Sequence, residues 1–389
     1  MRIAFVTETF LPSIDGITTR LQATIHHLLA AGHTVAVAAP AGSVSTCGAA
    51  QVFPIPGIPY WFYPERRFCL PAFGLKDFLA DFRPDIVHVV NPVALGLAGI
   101  YHARRMRLPL VASFHTNLAA YAQLYRVPFL SPVSWFVLRH AHNRAQLNLA
   151  TSAAMVAELS ARRFRNVALW PRGVDAARFS VAAPSAGMRD RLTGGRPRRT
   201  ALLYVGRLAP EKRLDTLRPL MDSLPDDLSI AFVGDGPERS RLEASFSGTA
   251  AVFTGYLQGD ELCAAYASAD AFIFPSTTET LGLVLLEAMA AGLPIIAARS
   301  KPTIELLGED SSLLFDAGSA ASLQDSVRTL RENADAERQR AAQRRAAAAD
   351  LDWRDASERL LDYYTQVLTQ SAHAKSARRK SFSRRLGQP

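Results

Sequence analysis

Two glutamates in the second half of the chain lie at the start of and inside one apolar segment. The stretch PSTTETLGLVLLEAMAAGLP, residues 275–294, sets Glu279 just before an apolar run and Glu287 inside that run. A helix is predicted to begin between Thr280 and Gly282, where free backbone N–H groups and the positive dipole end suit a diphosphate. A carboxylate one turn later suits the vicinal hydroxyls of a ribose. An ordinary helix-start glutamate beside a partly solvated one is the alternative, which explains less well why Glu287 interrupts so apolar a helix.

Two cations follow another predicted strand. The segment YVGRLAPEK places Arg207 and Lys212 in a turn. Ligands of open α/β sheets bind beyond the carboxyl ends of strands, and arginine binds a diphosphate in bidentate fashion. A solvated turn is the alternative for this motif alone. In FVGDGPER, Arg239 fills the third glycine position of a dinucleotide fingerprint, so Gly234 and Gly236 indicate a tight turn, with or without a ligand beside it.

One histidine in the first half ends a predicted strand. SFHTN places His115 there, either as a structural histidine or as a residue facing a cleft. No G-x-S-x-G or H-E-x-x-H pattern occurs, so neither a Ser-His-Asp triad nor a zinc protease site is supported. The cysteines Cys47, Cys69 and Cys263 are odd in number and far apart, which favours a reducing compartment over a disulfide framework or a zinc site.

The elements that would position these residues alternate between strands and helices. RIAFVT, TVAVAAP, PDIVHVV and LPLVASF are apolar strands with helical segments between them. After a stretch rich in Pro, Gly and Arg the pattern restarts with ALLYVG, SIAFVG, AAVFTG, AFIFPS and PIIAA. Such runs predict two α/β domains with doubly wound parallel sheets. The predicted organisation is a domain over 1–180, a linker over 181–199, a domain over 200–350, a helix over 351–370 that crosses back to the first domain, and a disordered tail over 371–389.

Charge is concentrated at the end of the chain. Six of the nine net positive charges lie in the last fifteen residues, which contain no acid. The remaining body is close to neutral, which argues against a nucleic-acid partner, whereas the basic tail suits a membrane surface. Stretches 58–68 and 129–144 join aromatic residues to arginines, as interfacial segments do, with core packing as the alternative. The N-terminal apolar run is too short for a signal peptide, and no run of 18 uncharged apolar residues occurs.

The order of these motifs resembles that of a known enzyme family. GRLAPEK, FVGDGP, AVFTG and ETLGLVLLEAMAAGLP, with its E-x7-E signature, resemble the family-four retaining glycosyltransferases over about residues 1–365. This resemblance implies a GT-B fold, in which two doubly wound Rossmann-like domains face a central cleft. ETFLPSIDGITTRL, HVVNPVALGLAGIY, PLVASFHTNLAAY, LWPRGVD and AVFTGYLQGDEL look more specifically like the sulfolipid synthases of cyanobacteria and plastids. Those enzymes transfer sulfoquinovose from UDP-sulfoquinovose to diacylglycerol.

Other activities stay open beside that one. Actinobacterial α-mannosyltransferases that use GDP-mannose share GRLAPEK, RGVD and AVFTG. A UDP-glucose-dependent α-glycosyltransferase acting on a glycolipid or diacylglycerol is a further alternative. A sugar-nucleotide epimerase of GT-B fold is the alternative from another class. The expected partners are therefore a nucleotide-sugar donor, a diacylglycerol or related lipid, and the cytoplasmic face of a membrane, without nucleic acid.

The resemblance also implies roles for the residues that carry charge or end a strand. His115 would hydrogen-bond a hydroxyl of the transferred sugar, and Glu279 would position its ring. Arg207 and Lys212 would neutralise the departing diphosphate. Glu287 would hold the ribose. No cofactor and no metal ion is expected. The acceptor hydroxyl would attack from the front face, assisted by a donor phosphate oxygen, with retention at the anomeric carbon.

Backbone groups and a base-binding surface complete the implied site. Gly16 in the first loop would let the backbone approach the donor phosphate or the acceptor. The sugar and phosphate would be held by the backbone of Thr280, Leu281 and Gly282, and the uracil would lie near Gly234, Asp235 and Tyr256.

Two positions depart from the family pattern. Asp15 precedes Gly16 where many relatives carry paired glycines. Lys301 and Pro302 stand where many carry a Gly-Gly pair, which puts the local loop geometry after the strand at 294–298 in doubt.

Overall fold

The chain forms two compact units, each built on its own parallel sheet. The computed structural model describes residues 1–60, 63–116, 130–180, 182–224, 226–280, 282–309 and 311–386. The first unit contains Met1–Thr116, Pro132–Pro171 and the chain from Arg354 onward, and the second contains Asn117–Ser131, of which only Leu130 and Ser131 are described, and Arg172–Trp353.

The first unit is organised by an eight-stranded sheet. Its strands run in the order β10-β9-β8-β7-β1-β2-β4-β3, and every neighbouring pair is parallel except β3 with β4. The strands of this unit are β1 (Arg2–Thr7), β2 (Thr34–Pro40), β3 (Thr46–Cys47), β4 (Ala50–Ile55), β7 (Ile86–Val90), β8 (Leu110–Phe114), β9 (Leu147–Ala150) and β10 (Val167–Leu169), with a separate antiparallel pair β5 (Ile58–Tyr60) and β6 (Tyr63–Phe68). The helices are α1 (Gly16–Ala30), α2 (Leu75–Phe82), α3 (Leu95–Arg105), α4 (Leu130–His142), α5 (Ala153–Ala161) and, after the second unit, α15 (Trp353–Leu386).

The second unit has a six-stranded sheet in the order β13-β12-β11-β14-β15-β16, with all neighbours parallel. This is the strand order of a doubly wound nucleotide-binding sheet, whose order reverses between β11 and β14. The strands are β11 (Thr200–Val205), β12 (Leu228–Val233), β13 (Ala251–Gly255), β14 (Ala271–Phe274), β15 (Ile295–Ala298) and β16 (Leu314–Phe315). The helices are α6 (Ala176–Ser180), α7 (Ala186–Thr193), α8 (Arg218–Ser223), α9 (Arg239–Ser245), α10 (Gly259–Ser268), α11 (Leu283–Ala290), α12 (Lys301–Leu307), α13 (Ala320–Glu332) and α14 (Ala334–Ala349), with 3₁₀ turns at Pro210–Lys212 and Leu214–Leu217.

Central strands of both sheets are buried along their whole length. Every residue of β7, β8, β12, β14 and β15 is buried. Apolar side chains on both faces pack against helices, which explains why these strands are continuous apolar runs rather than alternating ones. The prediction of doubly wound parallel sheets is confirmed.

The predicted linker is structured and belongs to the second unit. Residues 186–193 form α7, whose first turn is capped by the Ser185 hydroxyl accepting from the Met188 N–H at 3.3 Å. Met188 and Leu192, four residues apart, bury one face of this helix in the second core. The preceding helix α6 also packs there, since the Phe179 ring meets the Tyr266 ring at 5.4 Å. The main segment of the second unit therefore begins at Arg172 rather than after a linker.

The last helix was expected to end near residue 370, with disorder beyond it, but it continues to Leu386. The added segment is composed mainly of Ala, Ser, Lys and Arg, and its first proline or glycine is Gly387. A helix already nucleated by packing extends through such residues without a breaker. Its packed part lies on the first unit, where the Trp170 Nε1–H donates to the Ala356 carbonyl at 3.1 Å.

Candidate functional site

The two loops that flank the reversal point of the second sheet bring a cation and a carboxylate together. Lys212 ends the 3₁₀ turn after β11, and Glu279 lies in the turn after β14, the neighbouring strand. The Lys212 Nζ is 2.8 Å from Glu279 Oε2, and these side chains are only 17% and 19% exposed. Ligands bind at such a reversal point in open α/β sheets. Lys212, predicted to bind the diphosphate, and Glu279, predicted to position the sugar, are therefore direct neighbours.

Glu279 is held as a fixed anion. Burial raises the pKa of its carboxyl group. The Lys212 ammonium and the backbone N–H groups of Gly282 and Thr280 outweigh that effect and lower the pKa to about 2. The Thr280 N–H is 3.2 Å from Oε1. Two backbone groups that were predicted to hold sugar and phosphate are thus directed at Glu279. Leu281, the third of that set, lies outside the described residues.

The loop that carries Arg207 is locked against the loop that follows β12. A Cβ atom on Gly234 would lie 2.0 Å from the Gly206 carbonyl oxygen, and one on Gly236 would lie 2.3 Å from the Leu208 carbonyl oxygen. The Leu208 N–H donates to the Asp235 carbonyl at 2.9 Å. The glycines of FVGDGP are therefore required by the close approach of two backbones, and Arg207 is half-buried on the loop that they support.

Asp235 and Tyr256, predicted to lie near the uracil, are neighbours. The Tyr256 hydroxyl is 3.4 Å from the Asp235 carbonyl oxygen, and the tyrosine side chain is exposed. The Asp235 carboxylate accepts from the Gly236 N–H at 2.7 Å and pairs with Arg239 Nη1 at 2.9 Å. An exposed aromatic ring beside an ordered strand-end loop is a surface on which a base can stack.

Glu287 has a specific partner inside its apolar helix. Helix α11 begins at Leu283, after Gly282 in a left-handed conformation with φ of 68°, so Glu287 lies in the second turn as predicted. The buried Tyr266 hydroxyl donates to Glu287 Oε2 at 2.8 Å. Burial raises the pKa of Glu287, while Tyr266 and the positive charge of Arg178 act against that rise. The Tyr266 hydroxyl therefore fixes the position of the Glu287 carboxylate. The Glu287 side chain is half-buried.

In the first unit His115 follows β8 and is buried. Its Nε2 is 2.8 Å from Ser113 Oγ. Burial lowers the pKa of His115 well below its usual range, and the charge of Arg20 adds to that effect, so the ring is neutral. Ser113 also contacts His88, which places a second buried imidazole in the same cluster.

Both departures from the family pattern have a local structural explanation. Asp15 is the N-cap of α1, and its Oδ1 accepts from the Thr18 N–H at 2.9 Å, so Gly16 is the first residue of that helix. At the other position, Ser300 and Thr303 form a capping box with proline in the first turn. Residues 301–307 thus begin a helix directly after β15 rather than forming an open loop.

One charged residue was missed at the sequence level. Arg172, in LWPRGVD, is 8% exposed, and its Nη1 lies 3.4 Å from Glu305 Oε1. Its Nε and Nη2 have no hydrogen-bond partner among the described residues. Burial lowers its pKa, and the charges of Glu305 and Glu279 oppose that shift. Arg172 therefore adds positive charge near the Lys212–Glu279 pair, which its isolated place in the sequence did not signal.

Family comparisons agree with this architecture. Residues 14–178 match the model of Glycosyltransferase Family 4, and residues 193–348 match that of Glycosyl transferases group 1. A sucrose-phosphate synthase from Thermosynechococcus elongatus superposes with a TM-score of 0.79 at 20% identity, covering 95% of this chain and 99% of that one. The chain is a GT-B glycosyltransferase with two Rossmann-like domains.

Relatives identified by sequence show which kinds of glycosyltransferase this chain is similar to. The sulfoquinovosyl transferase of Arabidopsis thaliana is 38% identical over 72% of this chain, which spans 56% of that protein. A GDP-mannose-dependent α-mannosyltransferase of Mycolicibacterium smegmatis is also 38% identical, over 76% of this chain and 79% of the relative. An α-monoglucosyldiacylglycerol synthase of Streptococcus pneumoniae is 27% identical over 76% of this chain and 71% of the relative. The chain belongs to the family-four glycosyltransferases, and it is a hexosyltransferase.

Two further properties of the described residues bear on the site. No helix among them combines the length and the apolar composition needed to cross a membrane. Within the same residues, no group of three or more His, Cys, Asp or Glu side chains could hold a metal ion. That donor binding needs neither a metal nor a cofactor stays a prediction.

Proposed function

We propose that this enzyme transfers sulfoquinovose from UDP-sulfoquinovose to diacylglycerol with retention at the anomeric carbon. The observation that carries the transferase chemistry is the Lys212–Glu279 pair at the reversal point of the second sheet, with Nζ and Oε2 2.8 Å apart. The choice of sugar is supported by the sulfoquinovosyl transferase among the relatives, and the choice of lipid by the glucosyldiacylglycerol synthase.

The leaving diphosphate would be stabilised by fixed cations. Lys212 is nearly buried and Arg207 lies on a loop held by backbone contacts, so neither needs to reorganise when negative charge develops. Preorganised charge of this kind is usually the largest contribution to catalysis. Arg207→Ala should therefore mainly lower kcat, with a smaller effect on the KM for the donor.

Glu279 would position the sugar rather than exchange a proton with it. A carboxyl group with a pKa of about 2 is ionised at neutral pH and cannot act as a general acid there. Its ion pair with Lys212 also removes it from the role of a free nucleophile. These properties support front-face attack by the acceptor hydroxyl, assisted by a donor phosphate oxygen, over the two-carboxylate mechanism of hydrolases.

A mannosyltransferase activity is the second candidate. It is favoured by alignment coverage, since the mannosyltransferase is spanned over 79% of its length and the sulfoquinovosyl transferase over 56%, at equal identity. The donor would then be GDP-mannose, and the guanine would occupy the surface beside Tyr256.

One experiment separates these candidates. Purified enzyme is offered UDP-sulfoquinovose, UDP-glucose and GDP-mannose, each with diacylglycerol vesicles, and the glycolipid products are identified by mass. Formation of sulfoquinovosyldiacylglycerol is the expected result, and exclusive mannose transfer would reject it. Parallel reactions without lipid test the epimerase alternative, which predicts conversion of the nucleotide sugar alone.

Attachment to a membrane surface is part of the same proposal. The support is the charge of the tail, where six basic residues follow position 374 without an acid. Deletion of residues 371–389 should weaken cosedimentation with anionic vesicles, and binding of the full chain should fall as salt is raised. Binding that is insensitive to salt would contradict this part of the proposal.

A further inference from the structure

The first unit contains a chain of four buried polar side chains that ends at His115. The Tyr364 hydroxyl on α15 lies 2.7 Å from His88 Nδ1. On the other side of that ring, His88 Nε2 lies 2.9 Å from Ser113 Oγ. The same oxygen lies 2.8 Å from His115 Nε2. All four residues are buried, so water does not substitute for these contacts.

Both imidazoles in this chain are neutral. Burial, and then the charge of Arg20, lowers the pKa of His88 to about 3, and the same two causes lower the pKa of His115 well below its usual range. A neutral imidazole carries one N–H donor and one bare nitrogen. Each ring must therefore adopt one of two tautomers, and the hydrogen bonds decide which.

The Tyr364 end of this series of hydrogen bonds determines which group donates in each of them. Among the residues that the structure describes, the Tyr364 hydroxyl has no hydrogen-bond partner other than His88, and the side chain is fully buried. A buried O–H without an acceptor is costly, so Tyr364 donates its proton to His88 Nδ1. The proton of His88 is then on Nε2, which donates to Ser113 Oγ.

Ser113 then determines which nitrogen of His115 carries the proton. Ser113 has one O–H proton, and since its oxygen accepts from His88, the hydroxyl is oriented to donate to His115 Nε2. The proton of His115 is therefore on Nδ1. We propose that Tyr364, His88 and Ser113 are positioning residues that fix His115 in the Nδ1–H tautomer, so that it acts as a hydrogen-bond donor to an oxygen of the transferred sugar.

This tautomer restricts which groups of the transferred sugar can form a hydrogen bond with His115. An N–H that can only donate forms a hydrogen bond to a hydroxyl oxygen or to an oxygen of an anionic substituent, but it cannot accept a hydrogen bond from a sugar hydroxyl. The tautomer assignment rests on the hydrogen bonds within the first unit alone, whereas its use in catalysis rests on the proposed role of His115 toward the sugar.

The test combines a spectroscopic and a kinetic measurement on the full chain. Side-chain ¹⁵N shifts of labelled histidine report which nitrogen carries the proton, and the His115 signal is assigned by its loss in His115→Gln. The wild-type enzyme should show the Nδ1–H form. Ser113→Ala removes the hydroxyl that donates to Nε2, so the proton should move to Nε2, and kcat/KM should fall about tenfold, the scale of one net hydrogen bond.

Tyr364→Phe and Tyr363→Phe form a matched pair on the same helix. Tyr363 also uses its hydroxyl for one hydrogen bond within the first unit, to the Leu169 carbonyl at 3.0 Å, but it lies outside the chain of four. Tyr364→Phe should introduce a minor Nε2–H population at His115 and lower kcat/KM about two- to fivefold. Tyr363→Phe should leave both measurements at the wild-type values.

Three results would overturn parts of the proposal separately. An Nε2–H signal in the wild-type enzyme, or an unchanged tautomer in Ser113→Ala, would refute the positioning role. Equal effects of the two tyrosine variants would show that Tyr364 acts through packing and not through its hydrogen bond to His88. A shifted tautomer with unchanged kinetics would leave the assignment standing and refute the sugar-facing role of His115.

Discussion

The two units place different kinds of polar chemistry at the ends of their strands. In the second unit the strand-end loops carry an ion pair, Lys212 with Glu279, with Arg172 nearby. In the first unit the corresponding end of β8 carries His115 in a buried network of neutral groups. The proposed diphosphate site thus contains an ion pair, whereas the hydrogen-bonded network at His115 consists of neutral groups whose pKa values are lowered by burial and by the buried charge of Arg20. The difference shows how one enzyme can bury polar groups in two domains at different electrostatic cost.

The two units should differ most clearly in how their stability changes as the pH is lowered. In the first, His88 has a pKa of about 3 against an ordinary value of 6.5, mainly because of burial. The unfolded chain therefore binds a proton that the folded chain does not, so stability falls as the pH drops from about 6.5 to about 3, by about 5 kcal/mol. In the second unit, Glu279 contributes stability above its ordinary value of 4.5, and this is lost as the pH falls toward about 2, by about 3 kcal/mol.

Peptide-resolved hydrogen exchange, corrected for intrinsic rates, would measure this contrast. As the pH is lowered stepwise from neutral, peptides of the first unit, such as those covering β7 and β8, should lose protection before those covering β11 and β14. Earlier loss in the second unit would contradict the larger acid sensitivity expected from His88.

Removing the cation should have the largest effect on catalysis. Lys212→Ala should lower kcat by about 10²–10³-fold, the usual cost of one preorganised group that stabilises developing charge. Burial then raises the pKa of Glu279 without opposition from the ammonium. Initial rates with the active donor would measure the loss, and the exposed Lys76→Ala in the first unit is the control for removing a lysine. Near-wild-type turnover in Lys212→Ala would remove the charged site from the mechanism.

The close approach of two loops should be sensitive to a single methyl group. Gly234→Ala would place Cβ against the Gly206 carbonyl oxygen and would strain a backbone with φ of 134°. We expect a loss of about 2–3 kcal/mol in the free energy of unfolding, measured by denaturant titration. Gly187→Ala in α7 is the matched control, since no contact there is tighter than 4.0 Å, and a helical alanine should be neutral or stabilising.

The ribose contact should give the smallest effect. Glu287→Ala should raise the KM for the donor about tenfold, with kcat little changed, because its proposed contact is the same in the ground and transition states. Tyr266→Phe removes the hydroxyl that donates to Glu287 and should raise this KM only about threefold. Steady-state kinetics at varied donor concentration would measure both. A fall in kcat with unchanged KM would assign Glu287 to the reacting sugar instead.

Local pattern was sufficient for most of the fold. Five predicted strands of the second unit agree with β11 to β15, because their sequences are continuous apolar runs, and four of the five end in glycine or proline-serine. Helix α7 was missed because prolines and glycines at its two ends concealed a capped helix with one apolar face. The short strand β16 has too few residues to show a pattern.

The contacts between the predicted site residues could not be read from the sequence, and their role in donor binding stays a prediction. Lys212 and Glu279 were both expected to bind the donor, yet their direct contact depends on β11 and β14 being neighbours, which spacing along the chain does not reveal. The same holds for Glu287, whose partner Tyr266 lies on another helix. Tyr364 is 276 residues from His88, so no motif could have connected them.

That long separation also constrains the order in which the chain can fold during synthesis. The core of the first unit includes Leu360, Tyr364 and Val367 of α15, and Trp170 donates to the Ala356 carbonyl, 186 residues later. Apart from Leu130 and Ser131, the described residues of the second unit, by contrast, all lie between Arg172 and Trp353. On the ribosome the second unit can therefore complete its contacts first, while the first waits for the final helix to leave the exit tunnel. The domain that is made first is the domain that is finished last.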